Sequence, residues 1–279
     1  MGQALEWARG ELRPSGAGGL EAQVLLSHLL GQSRAWVLAH PEASLAPSLA
    51  DTFGRQVRRC AAGMPLAYLT GHQEFFGLEF EVNPAVLIPR PETELLVERA
   101  LSWIKAEGRG TPDSLRVVDV GTGSGCIAVS LAAGRKTLRI VASDLSWEAL
   151  EVAGRNARRH QVADRVALLQ MDLLTSLAGP LDLILANLPY VPSDQLAVLP
   201  SSRFEPRLAL DGGEDGLQPI ARLLEQVRTR LRPGSLALLE IEASEGSAAL
   251  NLARSRFPSA RIEIVPDLGG HGRVLEIQA

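Results

Sequence analysis

The chain has 279 residues, of which 46% are hydrophobic and 22% are charged, and its formal net charge is −4. This length fits one large domain or two unequal ones, and the composition is that of a globular protein with an extensive core. The sequence has no run of the ~18 apolar residues that would predict a membrane span. Its negative net charge argues against non-specific nucleic-acid binding.

The first part of the chain has the periodicity of helices. Apolar residues from Leu20 to Leu29 follow helical spacing, and Gly31 is a typical C-terminal stop. Ser48 and Asp51 resemble a capping box that opens a second helix, which we expect to end at Gly63. Three arginines would line one face of this helix, either as a solvated surface or as a docking surface for a partner: Arg55, Arg58 and Arg59.

Residues 76–82 alternate apolar and polar side chains after a glycine, which predicts a strand or a hairpin. Pro91 then favours the first position of a helix that we expect to run to about Gly108. From Leu115 onward, short apolar runs alternate mostly with helical stretches, which is typical of a mostly parallel sheet with helices on both faces. The last two of these seven runs are closely spaced and predict an antiparallel strand at or near an edge. The runs are 116–120, 139–143, 166–171, 181–186, 235–241, 261–265 and 273–277.

A glycine-rich turn follows the first of these strands and leads into a helix, the arrangement that binds nucleotides at the carboxyl end of a strand. Residues 119–125 read Asp-Val-Gly-Thr-Gly-Ser-Gly. A dinucleotide loop requires G-x-G-x-x-G, whereas here Cys126 stands at the third glycine position, which disfavours NAD. S-adenosylmethionine has no pyrophosphate and fits this spacing, although a structural turn without a ligand is the alternative. The candidate cofactor residues here are Gly121, Thr122, Gly123, Ser124 and Gly125.

Two further strand ends carry acidic residues. Asp144 ends the second strand, where its carboxylate could bind both ribose hydroxyls of a nucleoside, or could instead cap the helix that follows. Asp172 ends the third strand near the expected position of the adenine amino group, and Leu173 could pack on the adenine ring. These three residues are candidate cofactor contacts.

The fourth strand ends in Asn187-Leu188-Pro189-Tyr190. The Asn187 side-chain oxygen and the Leu188 carbonyl could accept both hydrogens of a planar NH₂ group, while Pro189 restricts Leu188 to extended conformations. Tyr190 could pack on the planar group. We therefore predict methyl transfer to a weakly nucleophilic nitrogen, with an ordinary Asn-Pro turn as the alternative.

Several segments together resemble the release-factor glutamine N5-methyltransferases, the PrmC/HemK group. The resemblance covers nearly the whole chain and is carried by residues 65–71 (Pro-Leu-Ala-Tyr-Leu-Thr-Gly), 87–94 (Leu-Ile-Pro-Arg-Pro-Glu-Thr-Glu), 203–206 (Arg-Phe-Glu-Pro) and 210–217 (Leu-Asp-Gly-Gly-Glu-Asp-Gly-Leu), besides the glycine turn and the strand-four motif.

The resemblance implies a helical N-terminal domain (1–74) that docks release factors, a hairpin linker (75–90) and a Rossmann-like class I methyltransferase domain (91–279) with a seven-stranded sheet. The implied substrate is the glutamine of a Gly-Gly-Gln motif in class I peptide chain release factors, methylated at N5 by S-adenosylmethionine. Asn187 would contact both the cofactor and the glutamine, and Leu188, Pro189 and Tyr190 would complete the glutamine site.

The chain departs from the family at Leu188, where Pro is usual, and at Glu242, where Gly is more common. Asn-Leu-Pro-Tyr is similar to the motif of ribosomal RNA adenine dimethyltransferases, so an RNA adenine-amino methyltransferase is one alternative. A methyltransferase-like binding module without turnover is another. Cys60 and Cys126 are far apart, which favours a reduced cytoplasmic compartment, and neither they nor the five histidines have metal-ligand spacing, so we expect no metal. We also expect a monomer, and the net charge of −4 argues against a direct nucleic-acid partner.

Overall fold

The computed structural model describes residues 1–13, 18–106 and 115–279. Within these residues the chain divides into two compact units, Met1–His72 and Gln73–Ala279. Across the described ranges, no helix has both the length and the apolar character needed to cross a bilayer.

The first unit is helical, as predicted. Its helices are α1 (Gly2–Leu12), α2 (Gly19–Leu30), α3 (Arg34–Ala39), α4 (Pro47–Ala61) and α5 (Leu66–Thr70). Gly31 ends α2 with a φ of 62°, which confirms the predicted stop. The capping box at Ser48 is wrong: α4 begins one residue earlier, because Pro47 fits the first helical turn, and its N-cap Ala46 has no side-chain cap. The three arginines of α4 are exposed, as either interpretation requires.

The predicted hairpin is present as β1 (His72–Phe75) and β2 (Leu78–Glu81). Phe76 and Gly77 both have positive φ, 52° and 71°, as the two central residues of a type I′ turn do. The carboxylate of Glu94 accepts a hydrogen bond from the Phe76 N–H at 2.8 Å. Glu94 opens α6 (Glu94–Ala106) after a 3₁₀ turn at Pro91–Thr93, and the predicted helix end at Gly108 lies outside the described residues.

The seven predicted runs form one sheet in the order β5-β4-β3-β6-β7-β9-β8. β9 lies next to the edge and runs antiparallel to both of its neighbours, β7 and β8, so the predicted fold class and the antiparallel pair are confirmed. The strands are β3 (Val117–Val120), β4 (Ile140–Asp144), β5 (Val166–Gln170), β6 (Leu181–Ala186), β7 (Leu231–Glu240), β8 (Arg261–Pro266) and β9 (Gly272–Gln278).

Helices cover both faces of this sheet. One apolar layer joins it to α6, α7 (Cys126–Gly134) and α8 (Trp147–Arg159). The other joins it to α9 (Gln218–Arg228) and α10 (Gly246–Arg256). Because both faces are covered, β3 and β6 are buried along their whole length.

The register of the central strands sets the position of the functional loops. The last residue of β3, Val120, pairs with Ser143 of β4 on one side and with Ala186 of β6 on the other. The glycine turn, Asp144 and Asn187 therefore begin side by side at the carboxyl ends of the parallel strands. Ligands of open α/β sheets bind at this edge.

Candidate functional site

A cleft of about 460 Å³ opens at the carboxyl ends of the central strands. This size is in the range of small-molecule sites. Most of the residues predicted for cofactor and acceptor binding line it, namely Gly121, Thr122, Gly123, Ser124, Asp144, Asp172, Leu173, Asn187, Leu188 and Pro189. Gly125 and Tyr190 lie beside the cleft but do not line it.

Two glycines of the turn have different spatial requirements. Gly121 has a φ of 72°, and a Cβ there would lie 2.9 Å from Cδ2 of Leu188. Gly123 has a φ of 55° and no atom within 4 Å of the position of a Cβ, so its backbone borders open space in the cleft. A ligand can therefore approach the backbone closely at Gly123, which fits a nucleoside cofactor. Gly125 is instead the N-cap of α7 and packs against Ala153 of α8.

Asp144 is connected to the glycine turn by a hydrogen bond. Its Oδ2 accepts from the Gly123 N–H at 2.8 Å, and its Oδ1 accepts from the Ser146 N–H at 2.9 Å. The N-cap of α8 is Ser146, which accepts from the Ala149 N–H, so Asp144 is not the capping residue. Burial raises the pKa of Asp144, while these backbone hydrogen bonds oppose that rise. The carboxylate is thus held in a fixed position in the cleft wall.

Asp119 lies within the buried strand that precedes the turn and was not among the predicted site residues. Its Oδ2 accepts from the Thr122 hydroxyl at 2.6 Å and from the Ala128 N–H at 3.3 Å, which fixes the turn against the start of α7. Burial raises its pKa to about 7. Oδ1 has no hydrogen-bonding partner among the described residues. The sequence signal that could have identified Asp119 is an acidic residue within the otherwise apolar run Val-Val-Asp-Val at residues 117–120.

Asp172 and Leu173 follow β5 at the far side of the cleft. The Asp172 carboxylate forms an ion pair with Arg222 of α9. Leu173 is buried and has a φ of 53°, a conformation that is uncommon for a residue other than glycine. Leu173 therefore presents an apolar wall at the place predicted for an adenine ring, whereas Asp172 is already engaged by an arginine.

Asn187 follows β6 and is oriented by a residue that the sequence did not point to. Its Nδ2 donates to Oγ1 of Thr93 at 3.0 Å, and Thr93 is only 2% exposed. This bond uses the nitrogen of the carboxamide and leaves Oδ1 as the acceptor available to a ligand. Leu188 is buried, and its side chain packs over Gly121.

Tyr190 faces Glu240, at the end of β7. The Tyr190 hydroxyl lies 3.5 Å from Oε1 of Glu240, which is 1% exposed. Burial raises the pKa of Glu240 to about 7, and the nearby Thr93 hydroxyl and the charge of Arg273 oppose that rise. Burial also raises the pKa of Tyr190, and Glu240 and Glu242 raise it further. Tyr190 is therefore a neutral hydrogen-bond donor at the side of the cleft.

Two of the motif segments meet beside the cleft. Arg90, which lines the cleft, forms an ion pair with Glu205 at 2.5 Å, and Glu205 also accepts from the Ile88 N–H at 3.0 Å. This contact explains how the segments 87–94 and 203–206 act together in the fold. Among the described residues, no group of three His, Cys, Asp or Glu side chains could hold a metal ion.

Comparison with known sequences gives the family. The chain matches the PrmC N-terminal domain over residues 3–71 and the methyltransferase small domain over residues 95–200. It is 46% identical over 277 residues, 96% of each chain, to the release factor glutamine methyltransferase of Moorella thermoacetica. The chain belongs to the release factor glutamine methyltransferase family. The family member of Bordetella pertussis is 43% identical over 238 residues, covering 84% of this chain and 86% of that one.

The family assignment agrees with the fold. The N-terminal domain of human METTL16 in complex with SAH resembles this structure with a TM-score of 0.51 at 16% identity, covering 81% of this chain and 83% of that one. This likeness shows the fold alone. The protein is thus a release factor glutamine methyltransferase family member with a helical N-terminal domain and a Rossmann-like methyltransferase fold.

Proposed function

We propose that this protein transfers a methyl group from S-adenosylmethionine to the side-chain amide nitrogen, N5, of the glutamine in the Gly-Gly-Gln motif of class I peptide chain release factors. The orientation of Asn187 carries this proposal. Thr93 holds the nitrogen of its carboxamide, and the oxygen is left as an acceptor beside the glycine turn. The name shared by its relatives supports the same substrate.

The cleft has the features that S-adenosylmethionine requires. The backbone at Gly123 is open to a ligand, the fixed Asp144 carboxylate has acceptor capacity for ribose hydroxyls, and buried Leu173 offers an apolar surface for adenine. The SAH bound to a structural neighbour is in line with this assignment. The cofactor would supply an electrophilic methyl group on a sulfonium sulfur.

The acceptor side of the reaction needs alignment more than a base. A carboxamide nitrogen is a poor nucleophile because its lone pair is delocalised into the carbonyl. Asn187 Oδ1 and the Leu188 carbonyl would accept its two hydrogens and hold the nitrogen in line with the methyl group. Such alignment can lower a barrier by up to ~7–11 kcal/mol. One of the two hydrogens then leaves to water as a proton.

The remaining parts of the proposal concern the cellular role. Methylation of release factors would place the protein in translation termination, in the cytoplasm, where it would act as a monomer on a protein partner. The net charge of −4 favours this partner over RNA, which requires neutralisation of phosphates.

The test is transfer of labelled methyl from S-adenosylmethionine to a purified release factor, beside a copy with Gly-Gly-Gln changed to Gly-Gly-Ala. Label on the first protein alone is the expected result. Label on both would refute the acceptor residue. If the enzyme binds the cofactor in calorimetry but labels ribosomal RNA and not the release factor, the adenine-amino alternative is correct. Binding without any transfer identifies a silent module.

A further inference from the structure

The loop 211–217 belongs to a motif segment that has no role in the proposed function. It lies against the chain that follows Tyr190, and the pairing starts one residue after that tyrosine. Three backbone hydrogen bonds of 2.8–3.0 Å join the two stretches, from the Val191 N–H to the Leu210 carbonyl, from the Gly212 N–H to the Val191 carbonyl and from the Ser193 N–H to the Gly213 carbonyl. The end of the acceptor motif is therefore attached to this loop.

The side chain of Asp211 fixes the start of the loop. Its Oδ1 accepts from the Ser193 hydroxyl at 2.5 Å and from the Gly213 N–H at 3.1 Å. Its Oδ2 accepts two hydrogen bonds from the guanidinium of Arg207, at 2.9 and 3.0 Å. Hydrogen bonds to an ionised carboxylate are stronger than those between neutral groups. One carboxylate thus holds the loop in a defined position beside the acceptor motif.

Gly212 lacks a side chain for reasons of space, since its φ is not among the positive ones. A Cβ at Gly212 would lie 2.7 Å from Cα of Tyr190 and 2.6 Å from the carbonyl oxygen of Gly216. Both obstacles are main-chain atoms, which cannot turn aside as the end of a side chain can. Cα of Tyr190 would have to move by about 0.7 Å to reach the 3.4 Å of an ordinary van der Waals contact.

Gly216 approaches the carbonyl group of the same tyrosine. It has a φ of 77°, and a Cβ there would lie 2.5 Å from the Tyr190 carbonyl oxygen and would also overlap Oε1 of Glu245. The main chain of Tyr190 therefore packs against two glycines of the loop, with its Cα at Gly212 and its carbonyl oxygen at Gly216. A side chain at either position would displace Tyr190.

We propose that Gly212 and Gly216 are positioning residues for methyl transfer, which act through the main chain of Tyr190 to place its ring beside the acceptor amide. The inference rests on the proposed function, in which Tyr190 would complete the glutamine site. The hydroxyl of Tyr190 lies 3.5 Å from Oε1 of Glu240. Contacts at both ends of the residue thus define where its ring lies, and the loop provides those at the main chain.

The first test compares Gly212→Ala with Gly154→Ala in steady-state transfer to the release factor. Gly212→Ala should lower kcat at least ~10-fold, because a displacement of about 1 Å can cost ~100-fold in rate. Its Kd for S-adenosylmethionine should change less than about threefold, since the loss is confined to the reacting geometry. Gly154 of α8 also lacks a positive φ, and a Cβ there would lie 3.1 Å from Cδ1 of Leu168. Gly154→Ala should keep kcat within about twofold of the wild type.

The second test asks which obstacle at Gly216 matters. Gly216→Ala should lower kcat as Gly212→Ala does. Glu245→Ala removes the side-chain obstacle and leaves the Tyr190 carbonyl in place, so the double variant with Gly216→Ala should stay impaired. Full recovery in the double variant would assign the loss to Glu245 and overturn the proposal. Wild-type kcat in a folded Gly212→Ala enzyme would overturn it as well.

Ser193→Ala tests the same attachment without a steric change, in case Gly212→Ala does not fold. It removes one donor to Asp211 and adds no atom. The loss in kcat should be smaller than that of Gly212→Ala and larger than that of Gly154→Ala. Wild-type kcat in Ser193→Ala, together with an unchanged environment of Tyr190, would contradict the role of the loop.

A third measurement follows Tyr190 directly and separates this inference from the proposed function. The sequence has two tyrosines, Tyr68 and Tyr190, so protein that contains 3-fluorotyrosine should give two ¹⁹F resonances, which Tyr68→Phe assigns. The Tyr190 resonance should shift in Gly212→Ala and in Ser193→Ala, and should stay unchanged in Gly154→Ala. If the wild type methylates no release factor, the proposed function fails, and this resonance still decides whether the loop positions Tyr190. An unchanged Tyr190 resonance in Gly212→Ala would refute the positioning role.

Discussion

The buried carboxylate of Glu205 accepts a hydrogen bond from the backbone N–H of Ile88 at 3.0 Å, across 117 residues of sequence. Its second oxygen pairs with Arg90, while the Glu205 side chain itself is 1% exposed. One side chain thus ties the segment that leads to Thr93 to the segment 203–206 beside the cleft. Three residues after Arg90, Thr93 accepts the hydrogen bond from Asn187.

Glu205→Ala should lower the free energy of unfolding by about 2 kcal/mol, because it leaves the Ile88 N–H without its acceptor and Arg90 without its partner. Urea unfolding of the full-length protein measures the change. Glu205→Gln keeps an acceptor oxygen and should cost less. Glu263→Ala removes an exposed pair with Arg261 and should cost less than ~1 kcal/mol. Equal losses for Glu205→Ala and Glu263→Ala would show that burial does not matter here.

Asn187→Ala should lower kcat for methyl transfer by ~100-fold or more, since it removes the proposed acceptor that would align the reacting nitrogen. Cofactor binding should be partly retained, because Asn187 is one predicted cofactor contact while the glycine turn and Asp144 remain. Single-turnover kinetics and calorimetry measure the two quantities. Asn251→Ala on the exposed side of α10 is the matched control and should retain the wild-type rate. A rate within a few-fold of wild type for Asn187→Ala would refute the acceptor role.

Gly121→Ala should weaken cofactor binding by at least ~10-fold. A Cβ there would lie 2.9 Å from Leu188 Cδ2, and the positive φ disfavours alanine as well. Gly31→Ala provides the control, because Gly31 also has a positive φ but no atom within 4 Å of the added carbon. That variant should lose about 1 kcal/mol of stability and keep its cofactor affinity. Similar affinities for the two variants would contradict the role of the Gly121–Leu188 contact.

The catalytic efficiency kcat/KM should rise with pH through about 7, because the Tyr190 hydroxyl of the acceptor motif donates to Glu240 and an ionised carboxylate is the stronger acceptor, while burial raises the pKa of Glu240 to about 7. Ionisable groups around it are Glu92, Cys126, Tyr190 and Arg273. Asp119 and Glu245 also have pKa values of about 7, so the profile of Glu240→Gln is needed to identify the group. A midpoint that is unchanged in Glu240→Gln would assign the dependence elsewhere.

Stability should respond to the same carboxyl with the opposite sign. The pKa of Glu240 is raised from 4.5 in the unfolded chain to about 7 in the fold, so between these values the folded state binds the extra proton. Its contribution is fully present below pH 4.5 and is lost as pH rises through about 7. Glu240→Gln should therefore have a higher Tm than the wild type at pH 8. A lower Tm at pH 8 would contradict the cost of this buried charge.

Local patterns were sufficient for the architecture. The alternation of apolar and polar residues after Gly77 predicted the hairpin, and the short apolar runs predicted the seven strands. Both signals depend only on residues that are close together in the sequence. The capping box predicted at Ser48 was wrong for a local reason too. Pro47 occupies the first position of α4, so Ser48 lies inside the helix and is not its N-cap.

The residues that contact Asn187, Tyr190 and Gly121 from elsewhere in the fold were not predictable from local sequence patterns. Thr93 lies 94 residues before Asn187, and Glu240 lies 50 residues after Tyr190, so only the folded sheet brings them together. Leu188 is a further case. The sequence showed the loss of a proline there, whereas the structure shows a buried side chain that packs over Gly121.

The placement of all these groups at one edge of the sheet has a practical consequence for lysine chemistry. Lys105 and Lys136 are the only lysines in the sequence, and both are exposed. Lys105 is in the last turn of α6, at the end away from Thr93, and Lys136 precedes β4, at the end away from Asp144. Coupling through lysine would attach a dye or a solid support near the amino-terminal ends of the parallel strands, at the edge of the sheet away from the cleft.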